Sequence, residues 1–477
     1  MVWKFKNAIA RGLRQQMPGK RIGFYAHYQP MTSPPDDIQA EPGIVAVTCH
    51  VTSSRSEITD PECPYNRYYY EQIKKIVATG AEMGCYEYTM RGGTPQPLAI
   101  LSNTKAYHDL GYVRFHTETM ARDEQRNIIA WVQAQLAWDV SQDPKELLRT
   151  FCREYYGASG DDVHTVLQLV DASIHKLPKM ALGGAGDTQS IMTEKVIREG
   201  RKILEAARKK VSGREKKRLV RFHDTFEMFC LGGTYIRACW TAMDERTPEA
   251  KDQAVQATDR FVQFWEARNL NETCGPSILQ AAKEYRKRVE KIAPTVTPTA
   301  NRKLAGRNMT GTGRETLLQE LFSFAKVPKR VEDLFFLPEI WRFKLNIHRQ
   351  DVETAWMNPD FDDSTWHQLS TYNFYERQGF LGYNGAFWYR VQFQAPAFPK
   401  GKKVFLRIGA LDDEGSIYVN GKLVHQRWHI HPADWESSFE MDVTDIIKPD
   451  DTNVIFVAGN DQAGVGGIWK PCALYTK

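Results

Sequence analysis

The sequence predicts a multidomain chain, α/β in front and all-β behind: a parallel β/α sheet, a helical subdomain and a C-terminal β-sandwich. Three observations predict it. Short β-branched and aromatic runs alternate with helical stretches over residues 1–142. From Asp143-Pro144 to Pro294 the pattern is helical throughout, interrupted by Gly, Pro and Asp breakers. Residues 331–477 turn to short alternating strands between turn signals, and residues 295–330, with Pro298, Gly306, Gly311 and Gly313, read as a linker with one helix near Glu315–Ala325.

Each element has a local reason. Arg21–Tyr28 (RIGFYAHY) follows an amphipathic helix within Met1–Met17 and stops at Gln29-Pro30. Ile44–Val51 is a β-branched run after the turn Glu41-Pro42-Gly43, and Asn66–Ala81 is helical. Cys85–Met90 is a strand halted by Arg91-Gly92-Gly93; a short helix, Thr104–Leu110, leads to a fourth strand, Tyr112–Glu118, and then to a helix over Arg122–Trp138. Helices are expected near 145–156, 160–176, 190–210, 214–243, 247–268 and 276–291. The all-β part shows strands at Phe387–Gln394, Lys403–Gly409, Gly415–Val419, Phe439–Val443 and Asn453–Ala458, with Asn420-Gly421 as a hairpin turn. Trp388 and Trp469 are expected in its core. Four front strands can be a whole small doubly wound sheet or half of an eight-stranded barrel, and in either case their C-terminal ends face the binding crevice.

Composition narrows the function classes. The 477 residues include 63 Lys and Arg against 58 Asp and Glu, 25% charged and 12% aromatic, as in an ordinary globular protein rather than a disordered one. No apolar run is long enough for a membrane span. The formal +5 is concentrated: residues 195–221 hold twelve Lys or Arg and three Glu. Val196, Ile197, Leu204, Val211, Leu219 and Val220 within that run point to surface helices with solvated charges, and no aromatics interleave the basic residues, so a nucleic-acid partner is not expected. None of the eight cysteines forms a Cys-x-x-Cys and no Cys/His set has zinc spacing, so neither a metal nor another cofactor is expected. Twelve Trp, 20 Tyr and 23 Phe suit a packed core, and equally a protein that stacks on sugar rings.

The strand ends are chemically rich: His27 and Tyr28, Cys49 and His50, Glu87 and Tyr88, His116 and Glu118. Four consecutive strands ending in polar groups place the candidate site there.

Two resemblances sharpen this reading. The C-terminal residues Trp356, Phe361-Asp362-Asp363-Ser364-Thr365-Trp366, Gly385-Ala386-Phe387-Trp388-Tyr389-Arg390, Leu406-Arg407-Ile408-Gly409, Ile417-Tyr418-Val419-Asn420-Gly421, Asp442-Val443-Thr444 and Gly466-Gly467-Ile468-Trp469-Lys470-Pro471 stand in an order that resembles the galactose-binding-like, jelly-roll sandwich at the front of family-two glycoside hydrolases. The resemblance implies the sandwich fold and sugar binding. The catalytic domain that follows such a sandwich is not present, so its acid/base and nucleophile are not carried over. In the loop Gln426–Trp435, Trp428 and Trp435 are the candidates for sugar stacking, and packing between sandwich and neighbour is the alternative role.

The front resembles the domain of unknown function 4838: Cys63-Pro64-Tyr65-Asn66, Tyr86-Glu87-Tyr88, Trp138-Asp139 with Asp143-Pro144, and Phe151 with Glu154-Tyr155-Tyr156-Gly157. That resemblance implies a glycosidase-like barrel akin to α-glucuronidases, of which residues 1–142 would be a partial (β/α) barrel. In that family the barrel starts well upstream, so the chain is expected to be an N-terminally truncated reading frame. No targeting signal precedes it, which leaves it cytoplasmic as written; a signal peptide on a full-length gene would make it periplasmic or secreted.

Glycoside hydrolysis uses two carboxyl groups, a protonated acid and a nucleophile or base. Glu118 is the first candidate for the acid and Glu87 the second; a structural ion pair is the alternative for each. If Glu87 points inward, alternation turns Cys85 inward too and Tyr86 toward the helices. His27, His50 and His116 fit sugar hydroxyls or a substrate carboxylate, Tyr25 and Tyr28 can flank a ring, and Asn66 can touch substrate or cap the following helix. The expected function is therefore carbohydrate cleavage by a glycoside hydrolase or a fragment of one, with a glycan as substrate. The alternative is a non-catalytic carbohydrate-binding or scaffolding protein that works through its sandwich.

Overall fold

The fold, taken from a computed structural model, is described for residues 2–26, 33–50, 56–87, 94–117, 123–177, 185–270, 276–299, 321, 332–429, 433–462 and 464–477. It comprises two compact units, Met1–Thr234 with Asp259–Lys283, and Tyr235–Thr258 with Glu284–Lys477. The helical region expected as one subdomain is thus divided between them.

In the first unit, α1 (Val2–Gln16) precedes β1 (Ile22–Ala26), β2 (Ile44–His50), α2 (Pro64–Ala78), β3 (Glu82–Glu87), α3 (Ile100–Asp109), β4 (Tyr112–Thr117) and α4 (Glu124–Trp138). The four strands form one sheet in chain order, every neighbouring pair parallel. Trp3 of α1, Ile73 and Ile76 of α2 and Tyr107 of α3 share one cluster with Ala26, Ala46, Met83 and Cys85. Those strand residues alternate along β1, β2 and β3, so the three helices cover one face of the sheet. Trp3 meets Phe24 edge-on, with centroids 5.3 Å apart. The opposite face carries Tyr25, Tyr86 and His116, and Glu82 there pairs with Arg21 and Arg114 at 2.5 and 2.6 Å.

Helices α5 (Pro144–Tyr156), α6 (Gly160–Ile174), α7 (Ala185–Ile191) and α8 (Glu194–Ala207) follow. Asp143 caps α5, accepting from the amides of Lys145 and Glu146, with Pro144 in the first turn. The basic run lies on α8 and the start of α9 (Gly213–Glu245), where Val196, Leu204 and Leu219 are buried and the charges lie outward. Several are paired: Arg201 with Glu227 at 2.5 Å, Lys210 with Asp162 at 2.8 Å and Arg221 with Glu124 at 2.8 Å. Helices α10 (Pro248–Ala267) and α11 (Pro276–Glu290), like α9, cross the division between the units.

The second unit is built on two antiparallel sheets. Its strands are β5 (Glu332–Phe336), β6 (Ile340–Leu345), β7 (His367–Ser370), β8 (Ala386–Gln394), β9 (Val404–Leu411), β10 (Glu414–Val419), β11 (Lys422–Arg427), β12 (Phe439–Asp442), β13 (Thr452–Asn460) and β14 (Ile468–Thr476). Six strands run β11-β10-β13-β8-β6-β7 and four run β12-β9-β14-β5. Phe335 of the smaller sheet stacks on Phe393 of the larger at 6.0 Å. The expected hairpin is present: Asn420 and Gly421 take φ of 48° and 82° between paired Val419 and Lys422.

The motif around Phe361–Trp366 holds this unit together. Trp388 packs with Trp356, Trp366 and Phe456 in a buried cluster on the larger sheet. Asp363 pairs with Arg390, whose guanidinium also donates to the carbonyls of Trp356 at 2.9 Å and Asn358 at 2.8 Å. Trp388 is therefore core, as expected, but Trp469 is not: it is half-buried and belongs to the surface described below. The helix expected at Glu315–Ala325 lies outside the described residues, Leu321 excepted.

Candidate functional site

The strand ends of the first unit line up. His50 of β2 pairs in register with Glu87 of β3, and Glu87 with Thr117 of β4. Glu87 is 2% exposed. Asn103 Nδ2 donates to its Oε1 at 3.1 Å and the Tyr107 hydroxyl to its Oε2 at 2.9 Å. Those donors lie four residues apart on α3, one above the other. Burial pushes the Glu87 carboxyl up to about 6, while the two donors pull it back. It is a weak acid poised near neutrality.

Its direction is the reverse of the one considered from sequence. Met83 and Cys85 belong to the cluster under the helices, so Glu87, on the same side of β3, points at α3. Tyr86 instead faces the uncovered side, where it meets the 65% exposed Tyr25 edge-on, centroids 5.9 Å apart. His116, beside Tyr86 in register, is exposed on that same side. These three form an aromatic and imidazole surface, separate from the carboxyl.

Asn66 is fully buried and neither caps its helix nor reaches an open surface. Its amide donates to the carbonyls of Glu57 at 2.7 Å and Ser56 at 3.2 Å, pinning the segment before α2, while Cys63 occupies the cap position. Glu118, His27 and Tyr28 lie outside the described residues, and of His50 only the backbone is described.

Sequence reading missed the supports. Besides Asn103 and Tyr107, a buried pair opens α4: Asp123 accepts from the Arg126 amide at 3.1 Å and pairs with its guanidinium, which also reaches the Thr94 carbonyl at 3.4 Å. The available signals were the four-residue spacing of Asn103 and Tyr107 and the charged run Asp123–Arg126 opening an otherwise apolar helix.

The second unit gathers a different set. Asp412 and Asp413 make the turn between β9 and β10, Asp413 with φ of 57°. Asp413 shares a hydrogen bond with His429 Nδ1 at 2.5 Å and accepts from the Gln462 amide at 2.6 Å. Asp461 accepts from the Tyr375 hydroxyl at 2.5 Å. Glu376 accepts from the Gly466 amide at 3.0 Å, and the Tyr375 amide donates to the Gly466 carbonyl at 3.3 Å. Asp412, Asp413, Glu376 and Asp461 are all buried, and neither Asp412 nor Glu376 forms an ion pair among the described residues. Burial, then the neighbouring Asp413 charge, pushes Asp412 up to about 9, and burial pushes Glu376 up to about 8.

The same two clamped loops bring aromatic rings together. Phe374 lies against Trp469 at 4.6 Å and 35°, and Trp469 stacks on Trp435 at 5.3 Å and 19°. Trp469 Nε1 donates to the Trp435 carbonyl at 3.1 Å. All three rings are half-buried, as is Trp428. Arg427 donates to the Asp434 carbonyl at 2.8 Å, drawing together the ends of the loop that carries Trp428 and Trp435. The glycines of the Gly466-Gly467 motif permit this closeness: a Cβ on Gly466 would lie 2.3 Å from the Tyr375 hydroxyl, and Gly467 has φ of 93°. Of the two sandwich candidates, Trp435 is in the stack; Trp469 and Phe374 were not foreseen there.

Among the described residues no group of three or more His, Cys, Asp or Glu has a metal-holding arrangement, and no helix is long and apolar enough to cross a membrane. The seven described cysteines are buried thiols outside any disulfide.

Comparison with known proteins gives partial matches. Residues 1–168 match the model of the domain of unknown function DUF4838. None of the curated proteins matches. Among solved structures, a Lactobacillus rhamnosus β-glucuronidase is similar at 20% identity and a TM-score of 0.28, over 31% of this chain and 29% of that one. A Ruminococcus gnavus β-glucuronidase is similar at 16% identity and 0.27, over 31% and 30%. A family-two glycosyl hydrolase of Bacteroides cellulosilyticus is similar at 23% and 0.25, over 30% and 20%. The chain spans less than a third of the length of each of these structures.

Proposed function

We propose that the chain is a carbohydrate-active protein whose sugar contact is the aromatic stack at the end of the sandwich. The observation that carries this reading is the half-buried run Phe374, Trp469 and Trp435, fixed by backbone clamps beside the carboxyls of Asp413, Glu376 and Asp461. An indole face takes the C–H face of a pyranose, and the buried carboxyls, engaged by His429, Gly466 and Tyr375, fix the loops that carry the rings. Rigid placement lowers the entropy lost on binding. Glycan-array binding by the full chain tests it: saturable binding that Trp435→Ala removes supports the reading, and binding indifferent to that change refutes it.

Hydrolysis is the second reading, favoured by Glu87. A buried carboxyl near pKa 6 at a strand end has the acidity of a general acid. Because Asn103 and Tyr107 hold both of its oxygens, its part is that of a positioning residue behind the strand end. The acid that protonates the leaving group is then Glu118, with Tyr25, His27, Tyr28, His50 and His116 about the sugar. The reaction is removal of a terminal sugar from a glycan by a glycoside hydrolase, or by a protein of which this chain is part. Aryl glycosides and glucuronides assayed with Glu118→Gln test it: unchanged turnover removes Glu118 from the mechanism.

A further inference from the structure

The first unit contains a cavity of about 520 Å³ that the sugar stack does not involve. One wall is α6, which presents His164, Gln168, Asp171 and His175 at spacings of four, three and four residues, a single helical face. The facing wall carries an apolar patch, Leu98 just before α3, Leu101 of α3 and Leu148 of α5, bordered by polar groups that include Ser102, Lys145 and Glu146. Asp171 Oδ1 accepts from the Leu98 amide at 2.8 Å, which locks the two walls at a fixed separation. His164 is only 9% exposed and makes no hydrogen bond to any described residue, although it lines the cavity. Burial lowers its affinity for a proton, so the ring offers one donor and one acceptor.

These features define a ligand. The volume falls in the range of small-molecule sites. Arg149 is paired with Glu146 at 2.7 Å, and of the other charged lining groups Glu57, Asp143 and Asp171 outnumber Lys145, so the cavity disfavours an anionic ligand. The described lining residues include no Phe, Tyr or Trp, so recognition falls to the polar side chains of α6. A planar imidazole, a carboxamide and a carboxylate in one row match a row of hydroxyls, and the leucine wall matches a C–H face. We propose that this cavity is a second saccharide site, which takes a neutral mono- or disaccharide edge-on against α6. Choosing a saccharide over other neutral polyols rests on the carbohydrate reading above.

The test is titration calorimetry and saturation-transfer NMR on the full chain with glucose, galactose, cellobiose and glucuronate. A neutral sugar is expected to bind. Ala172→Trp, which fills the cavity from an exposed position on α6, is expected to weaken that binding at least tenfold. His164→Leu does the same, and His164→Gln, which restores one donor and one acceptor, recovers most of the affinity. Trp435→Ala leaves this binding unchanged. Binding lost in Trp435→Ala and untouched in Ala172→Trp overturns the cavity site while leaving the sandwich reading intact. Glucuronate binding tighter than glucose overturns the assignment of a neutral ligand. If His164→Leu does not fold, Ala172→Trp decides alone.

Discussion

Raising the pH from 5 to 9 should loosen the second unit, through the carboxyls at the end of its sandwich. Asp412 and Glu376 are buried, with folded pKa values of about 9 and about 8 against ordinary values of 3.8 and 4.5. Both are acids raised on folding, so between those limits the native state holds protons that the unfolded state has released. Their contribution is fully present below pH 4 and is lost as pH rises through the folded values. Each such proton changes stability by about 1.4 kcal/mol per pH unit, so the pair sets a ceiling of about 5 kcal/mol between pH 5 and 7. Carboxyls held low, such as Asp442 at about 2, act oppositely but only below pH 4. Histidines lowered by burial, His164, His223 and His425, oppose the trend only below their ordinary value of 6.5. The assay is urea unfolding at half-unit steps of pH, with Asp412→Asn and Glu376→Gln beside the parent chain. The parent should weaken steadily from pH 6.5 to 8 and the double variant clearly less, with a residual slope from Asp461, whose carboxyl burial also holds well above the usual carboxylate range. A parent chain whose stability is constant or rises over that interval refutes the assignment of uncompensated buried acids.

Three further outcomes follow from the geometry. Glu87→Ala leaves Asn103 and Tyr107 without their acceptor and opens a cavity under α3, so urea unfolding should show a loss of about 3 kcal/mol, with Glu87→Gln losing less than half as much. Asp363→Ala strands the buried Arg390 guanidinium and should cost about 3–5 kcal/mol, whereas replacing Asp363 and Arg390 together by leucine should cost much less. Gly466→Ala forces a methyl group onto Tyr375, so glycan affinity should fall several-fold along with the melting temperature of the second unit.

Much of the fold was legible because each element obeyed a local rule. Ile44–His50 is β-branched and follows a Pro-Gly turn, and Asn420-Gly421 supplies the two left-handed residues a tight hairpin needs. The strand β14 was hidden because Pro471 lies inside it, before the pairing with β5 begins at Ala473. β7 is four residues long, too short for any periodicity. The candidate site was legible by residue type and not by direction. Alternation in β3 makes Cys85 and Glu87 companions, but which side the helices cover depends on Trp3, Ile73 and Tyr107 meeting across long separations. Trp469, expected in the core, lies on β14 with its ring half-buried. Its partner Trp435 arrives from a loop 34 residues away, a closure no local pattern encodes. The recurring sandwich motifs proved to be those that hold the fold, Asp363 on Arg390 and Trp366 on Trp388, so their resemblance to sugar enzymes speaks to architecture more than to chemistry.

The central claim is that sugar is held at the stack of Phe374, Trp469 and Trp435. Saturation-transfer NMR of the full chain with a glycan selected on the array, compared with Trp435→Ala and Trp469→Ala, tests it most directly. The account predicts transfer to the C–H protons of one pyranose face and a loss of affinity of at least tenfold in each variant, with the unfolding transition of Trp435→Ala kept. Glycan affinity that survives both substitutions in folded protein would contradict it.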